Sequence, residues 1–150
     1  MYLRIAVLGA SYLQKPLYQK LREMNIFSIG LSWDRSEDCV QEGLVDKYYE
    51  VSIIEKEKVL KICLDEKIDG IVSIASDVAV PVISYVAEKM NLVGNSVESS
   101  LWATNKIEMR KRFEKFNLPI PKFGEIKSSK DAITFFKTSS QDLIIKPSDR

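Results

Sequence analysis

Short apolar runs of strand length alternate with longer stretches of helical period, and this alternation restricts the fold more than any other feature of the chain. Tyr2 to Leu8 reads as a strand, and Leu13, Leu17, Leu21 and Met24 then recur at helical spacing, with Pro16 in the opening turn. Ile26 to Leu31 reads as a second strand, Ser36 to Gly43 as a short helix and Tyr48 to Val51 as a third strand. Glu55 to Lys67 sets charge on one side and Val59, Ile62 and Cys63 on the other, and leads into a strand over Ile68 to Ile74. Val78, Val82, Val86 and Met90 then mark another helix, again with a proline, Pro81, in its first turn. A βαβαβαβα order of this kind predicts an α/β fold, a Rossmann-like parallel sheet with helices on both faces. The continuously apolar runs IAVLG and GIVSIA are what strands buried on both faces require.

The pattern changes after the polar stretch GNSVESS at 94–100. Residues 1–94 therefore read as one domain, 95–103 as a linker and 104–150 as the start of another. In that last part the spacing predicts a helix over Thr104 to Asn117, a break at Pro119 and Pro121, and a strand over Lys122 to Ile126. A helix over Ser129 to Lys137 and a strand over Leu143 to Lys146 follow. The net charge of +1 conceals a division: residues 104–150 hold 8 Lys and 3 Arg against 3 Asp and 3 Glu, a balance of +5, leaving −4 for the rest. A basic segment of this size suits either an anion site or a solvated helix face.

The chain contains no histidine. Ser-His-Asp and Cys-His catalysis, HExxH zinc sites and histidine proton shuttles are thereby excluded, leaving lysine, arginine, carboxylates, hydroxyls and backbone to do any chemistry. Cys39 and Cys63 are far apart in sequence and form no CxxC, which argues against a metal site or disulfide and fits a reducing cytoplasm. They are expected to be small core or surface residues. No apolar run approaches the ~20 residues of a membrane helix. Trp33 and Trp102 lack interleaved basic neighbours and are expected to pack, which leaves no nucleic-acid surface.

In an open parallel sheet, ligands bind beyond the carboxyl ends of the strands. Gly9, Ala10 and Ser11 follow the first strand and precede a helix, so their amides either hold an anion or form a plain strand-to-helix turn. With one glycine in place of GxGxxG, the dinucleotide fingerprint is missing. Asp34 ends the second strand, where it serves as a ribose-binding acid or a loop cap, and Asp77 reads as the cap of the helix beginning at Val78. Lys106 falls in the first turn of a helix whose apolar stripe is Met109, Phe113 and Phe116. Lys146 ends the run Leu143-Ile144-Ile145 ahead of Pro147, so its ammonium either meets a phosphate in a cleft or snorkels to water.

Taken in order, LGAS with LQKPLYQKLREMNI, SWDRSEDCVQEGLVDKYYEVS, DGIVSIASDVAVPVISYVAEKMNLVGNS, TNKIEMRKRFEKFNLPIPKF and DLIIKPSD resemble the N-terminal part of ATP-grasp enzymes. The likeness is to those similar to the carbamoyl-phosphate synthase large subunit and biotin carboxylase. It implies a Rossmann-like pre-ATP-grasp domain followed by an incomplete α+β small lobe of the ATP-grasp fold. By position, it implies that Lys106 in TNKIEMR and Lys146 in LIIKP contact ATP phosphates, and that Gly9, Ala10 and Ser11 face a carboxylate or amine substrate. The implied cofactors are ATP and Mg²⁺, and the implied reaction phosphorylates a carboxylate to an acyl phosphate that an amine or other nucleophile attacks.

The glycine-rich lid, the adenine pocket and the carboxylate and Asn ligands for Mg²⁺ that the resemblance implies find no counterpart up to Arg150. A fragment of a longer ligase, inactive alone, is the resulting expectation, with small molecules as partners and a homodimer through the first domain as in many relatives. A Rossmann-type nucleotide-binding or oxidoreductase module is the alternative, disfavoured by the missing glycines. A receiver-like module is disfavoured because no acid ends the third strand where a phosphoacceptor would stand.

Overall fold

A computed structural model describes residues 3–139 and 142–148 of the chain. Four strands form one sheet: β1 (Arg4–Leu8), β2 (Phe27–Ser32), β3 (Lys47–Glu50) and β4 (Gly70–Val72), in the order β3-β2-β1-β4 with every pairing parallel. Between them run helices α1 (Lys15–Glu23), α2 (Asp38–Gln41) and α3 (Lys56–Glu66), and α4 (Val80–Lys89) follows β4. The expected α/β class and parallel sheet are present, although Tyr2 of the first expected strand lies outside the described residues.

Both faces of the sheet are covered because the central strand is apolar on both. Ala6 and Leu8 of β1 join Ile29, Leu31 and Ile71 under α3 and α4, through Val59, Cys63, Val82 and Val86. Val7, the alternate residue, packs with Tyr18, Leu21 and Cys39 of α1 and α2. Period-two alternation thus sends neighbouring residues of β1 into two separate cores. On β2 the second face is thin: a Cβ at Gly30 would stand 2.8 Å from the Tyr18 hydroxyl and 2.7 Å from Val45. The missing side chain is what admits the fully buried Tyr18 ring.

At the amino end of the sheet, Glu66 closes α3 with its carboxylate buried at 8% exposure. It receives Lys47 Nζ at 2.6 Å, the Tyr49 hydroxyl and the Arg4 guanidinium, while Arg4 Nε donates to the Glu66 carbonyl at 2.8 Å. One carboxylate therefore ties the starts of β1 and β3 to the end of α3. Hydrogen bonds from Lys47 and Tyr49, and the charge of Arg4, hold its pKa below the ordinary 4.5 against the opposing effect of burial.

The chain divides into two compact units, 1–100 and 101–150. Residues expected to form a linker, 95–103, instead fold largely into α5 (Val97–Thr104). The Ser96 hydroxyl accepts the Ser99 amide at 3.1 Å, and the Ser100 hydroxyl donates to the Val97 carbonyl, so the polar stretch caps and lines a helix. In the second unit, α6 (Lys106–Lys115) and α7 (Ser129–Thr138) form as expected. The strands expected at Lys122 to Ile126 and Leu143 to Lys146 do not: both segments are irregular, and Ile144 and Ile145 are 81% and 75% exposed. A strand is a pairing, and among the described residues neither segment pairs with a neighbour in a ladder. Apolar, β-branched composition alone does not supply one.

Two measurements probe these packing statements. Because the native Glu66 carboxyl titrates below its unfolded value, its stabilisation is complete above about pH 4.5 and is lost as pH falls below it. Glu66→Gln should lower stability at about pH 7 by roughly 1–3 kcal/mol and flatten the acid limb of a denaturant-midpoint-against-pH profile. An acid limb identical to that of the unaltered protein would contradict the network. Burial also raises the Cys39 thiol to about 11 and the Cys63 thiol to about 12. A disulfide reagent should therefore label neither thiol in the native protein and both in denaturant, and rapid labelling without denaturant would refute their burial.

Candidate functional site

Sheet order reverses between β1 and β4, so the loops beyond their carboxyl ends, residues 9–14 and 73–79, flank the topological switch point. Gly9 turns the chain there at a φ of +97°, and a Cβ would stand 3.0 Å from the Gln14 side-chain amide. Tyr18 holds the loop from beneath, its hydroxyl donating to the Gly9 carbonyl at 2.9 Å, and its burial raises the phenol pKa above the ordinary value. Ala75, in the facing loop, takes a left-handed φ of 57°, a conformation that costs a non-glycine residue about 1 kcal/mol.

Of the two readings of Gly9, Ala10 and Ser11, anion-holding amides or a plain strand-to-helix turn, the hydrogen bonds fit the turn: these amides are already donated within the chain. Gly9 N–H reaches the Leu31 carbonyl at 2.8 Å, Ala10 N–H the Glu37 carboxylate at 2.7 Å and Ser11 N–H the Gln14 Oε1 at 3.2 Å. Tyr12 N–H reaches Asp38 Oδ2 at 3.0 Å, Leu13 N–H the Ser11 hydroxyl at 3.3 Å and Gln14 N–H the Ser11 carbonyl at 3.0 Å. The other Glu37 oxygen accepts the Ser32 hydroxyl, so this carboxylate joins the ends of β1 and β2. Two side-chain carboxylates occupy the place that a dinucleotide phosphate would need, which counts against the Rossmann nucleotide-binding alternative.

Glu37, Asp38 and Gln14 were not singled out from sequence. For Gln14 a signal existed: Ser11-Tyr12-Leu13-Gln14 has the S-x-x-Q form of a capping box, and the structure forms it over the 3-10 turn Tyr12–Gln14. Gln14 also donates to the Ile74 carbonyl at 2.7 Å, and Ser73 Oγ to the Leu8 carbonyl at 2.6 Å, so both bridge β1 to β4 across the switch point. Asp34 accepts the Ser36 amide at 2.7 Å and is a loop cap whose pKa those bonds lower. Asp77 lies inside the 3-10 turn Asp77–Ala79 that precedes α4, and Ser76 occupies the cap position, a correction to the expected cap. Trp33 does not pack as expected: at 75% exposure it projects beyond β2, because the edge of the sheet offers nothing to cover it. Trp102 does pack, with the Arg112 guanidinium 3.8 Å above its ring.

In the second unit, Lys106 is the first residue of α6 and is half-buried. Asn105 caps the helix, its Oδ1 accepting from Ile107 N and Glu108 N at 3.0 Å each. The Lys106 amide donates to the Ser148 carbonyl, which lays the segment carrying Lys146 beside the start of α6. Lys146 is exposed and rises from an irregular segment, in place of the buried strand end expected for it. The first amides of α6 are thus donated within the chain, those of Ile107 and Glu108 to Asn105 and that of Lys106 to Ser148. Among the described residues no group of three or more His, Cys, Asp or Glu is placed to hold a metal ion. None of the described helices is long and apolar enough to cross a membrane.

No family model matches the chain, and no curated protein matches it in sequence. Solved structures do match its fold. Phosphoribosylglycinamide synthetase from Anaerococcus prevotii superposes with a TM-score of 0.78 at 20% identity, over 94% of this chain and 36% of that one. N5-carboxyaminoimidazole synthetase from Staphylococcus aureus, complexed with ADP, gives 0.77 at 15% identity, over 100% and 40%. L-amino acid ligase from Bacillus licheniformis gives 0.76 at 17% identity, over 99% and 38%. The chain thus spans little more than a third of the length of these ATP-grasp enzymes, and it has the fold of their N-terminal part.

Proposed function

We propose that the chain is the N-terminal part of an ATP-dependent ligase that joins a carboxylate to an amine or another nucleophile. The observation that carries this reading is the likeness in fold of the chain to enzymes that include a carboxyaminoimidazole synthetase and an amino acid ligase, of which it covers 40% and 38%. The hydrogen bond from the Lys106 amide to Ser148 adds to it, since it brings the two lysine-bearing segments together at the start of α6.

Bound ATP supplies the phosphoryl group that turns a carboxylate into an acyl phosphate, from which the nucleophile displaces phosphate. In this proposal Lys106 and Lys146 hold the phosphate oxygens and offset the charge that moves toward the leaving group. The loop at Gly9, Ala10 and Ser11, rigid through its internal hydrogen bonds, forms one wall of the pocket for the non-nucleotide substrate. A pre-organised wall of this kind orients the reacting group without having to order itself on binding. None of these tasks requires histidine, in keeping with its absence from the chain.

The coding sequence beyond Arg150 is one test: a glycine-rich loop containing Ser and Arg, followed by a strand, is expected. In the complete ligase, ADP release and hydroxylamine-trappable acyl phosphate should appear with the correct carboxylate. Lys146→Ala should lower that turnover by on the order of a hundredfold or more with the circular dichroism spectrum unchanged, since the side chain is exposed. Unaltered turnover in this variant would overturn the assigned role.

A further inference from the structure

The carboxyl edge of the sheet in the first unit combines two features that together select a ligand. Every amide from Gly9 to Gln14 is donated within the chain, two of them to carboxylates. The same edge exposes large apolar side chains on four loops: Tyr12 and Leu13 after β1, Trp33 after β2, Ile54 after β3, and Ile74 and Val78 after β4. A monomeric surface rarely gathers so many large apolar groups at one edge without a use for them. Its exposed ionisable groups are mainly acidic, Asp34 and Asp77 beside Asp38. The nearby bases are engaged: Lys15 with Glu42 at 2.7 Å, Lys58 with Glu55 at 2.7 Å, Arg35 over the Tyr48 ring at 5.7 Å and Lys56 over the Tyr85 ring at 4.8 Å.

We infer that this edge receives an amine with an apolar or aromatic body and no phosphate, and that Glu37 and Asp38 exclude phosphate esters by occupying the loop amides. A phosphate entering the loop would have to displace both carboxylates or lie against them, and either route sets like charges together. Displacing Glu37 would also strip the Ser32 hydroxyl of its acceptor. An ammonium group gains from the acidic charge that Asp34, Asp38 and Asp77 expose at this edge, and an apolar body gains by covering Trp33 and Tyr12. Glu37 and Asp38 are therefore specificity-determining residues. The inference rests on the ligase reading in one respect, that this edge serves the nucleophilic substrate.

The test is an amide-resolved NMR titration of the 150-residue protein with two probes, L-phenylalanine amide and ribose 5-phosphate. The amine should shift the Trp33 indole and the Tyr12 and Asp34 amides saturably, while the sugar phosphate leaves residues 9–14 unmoved. In the double variant Glu37→Gln, Asp38→Asn, affinity for ribose 5-phosphate should rise about tenfold or more and the response to the amine should weaken. Movement of the 9–14 amides by ribose 5-phosphate in the unaltered protein would overturn the inference, and so would the lack of a saturable response to the amine. If the double variant does not fold, the two titrations of the unaltered protein still decide. A separate ADP titration, read at Lys106 and Lys146, bears on the ligase reading alone, so the two can fail independently.

Discussion

Strand β1 is apolar on both faces, and a strand of that kind is stable only in the middle of a sheet with helices on either side. Its central position between β2 and β4 and the two separate cores follow from that constraint. So does the place where the strand order reverses, since chain leaving one edge of β1 must cross over to reach the other. Position of the candidate substrate edge is thus a consequence of Ile5, Ala6, Val7 and Leu8 before any polar residue is considered.

At that edge the chain spends its own polar groups on itself. Glu37 joins β1 to β2, and Gln14 and Ser73 join β1 to β4. The result is a loop held from below by Tyr18, from the side by two carboxylates and from within by an amide, with a single glycine at the one residue where φ demands it. A dinucleotide-binding loop needs more glycines because it leaves its amides open to a pyrophosphate. Here the anions are supplied by side chains, and the loop is rigid without a ligand.

The second unit is organised differently. Its helices form from local signals, with Asn105 and Ser128 as caps that accept the amides of Ile107, Glu108 and Asp131. Its apolar surface is largely uncovered: Phe116, Ile133, Phe136, Ile144 and Ile145 are all exposed. Lys146 accordingly reaches the vicinity of α6 through the backbone contact between Lys106 and Ser148, with no strand to deliver it.

Most of the fold was legible in the sequence because both its periods, two for strands and 3.6 for helices, are written in the positions of Val, Ile and Leu. The parallel sheet, the helix order and the helix that carries Lys106 in its first turn needed nothing more. The site was legible only in part: Gly9 to Ser11 follow a strand as read from sequence, Lys146 ends no strand, and Glu37, Asp38 and Gln14 were not found, since a carboxylate that accepts an amide 27 residues away leaves no local pattern. The exposure of Trp33 and the irregular path of residues 143–146 were likewise beyond reach of composition, because burial and strand pairing are properties of neighbours brought together in space. Local propensity and apolar period by themselves determined the elements and their order. Tertiary structure alone decided that the loop amides of residues 9–14 are spent within the chain, because hydrogen-bond partners distant in sequence are chosen only once the chain has folded.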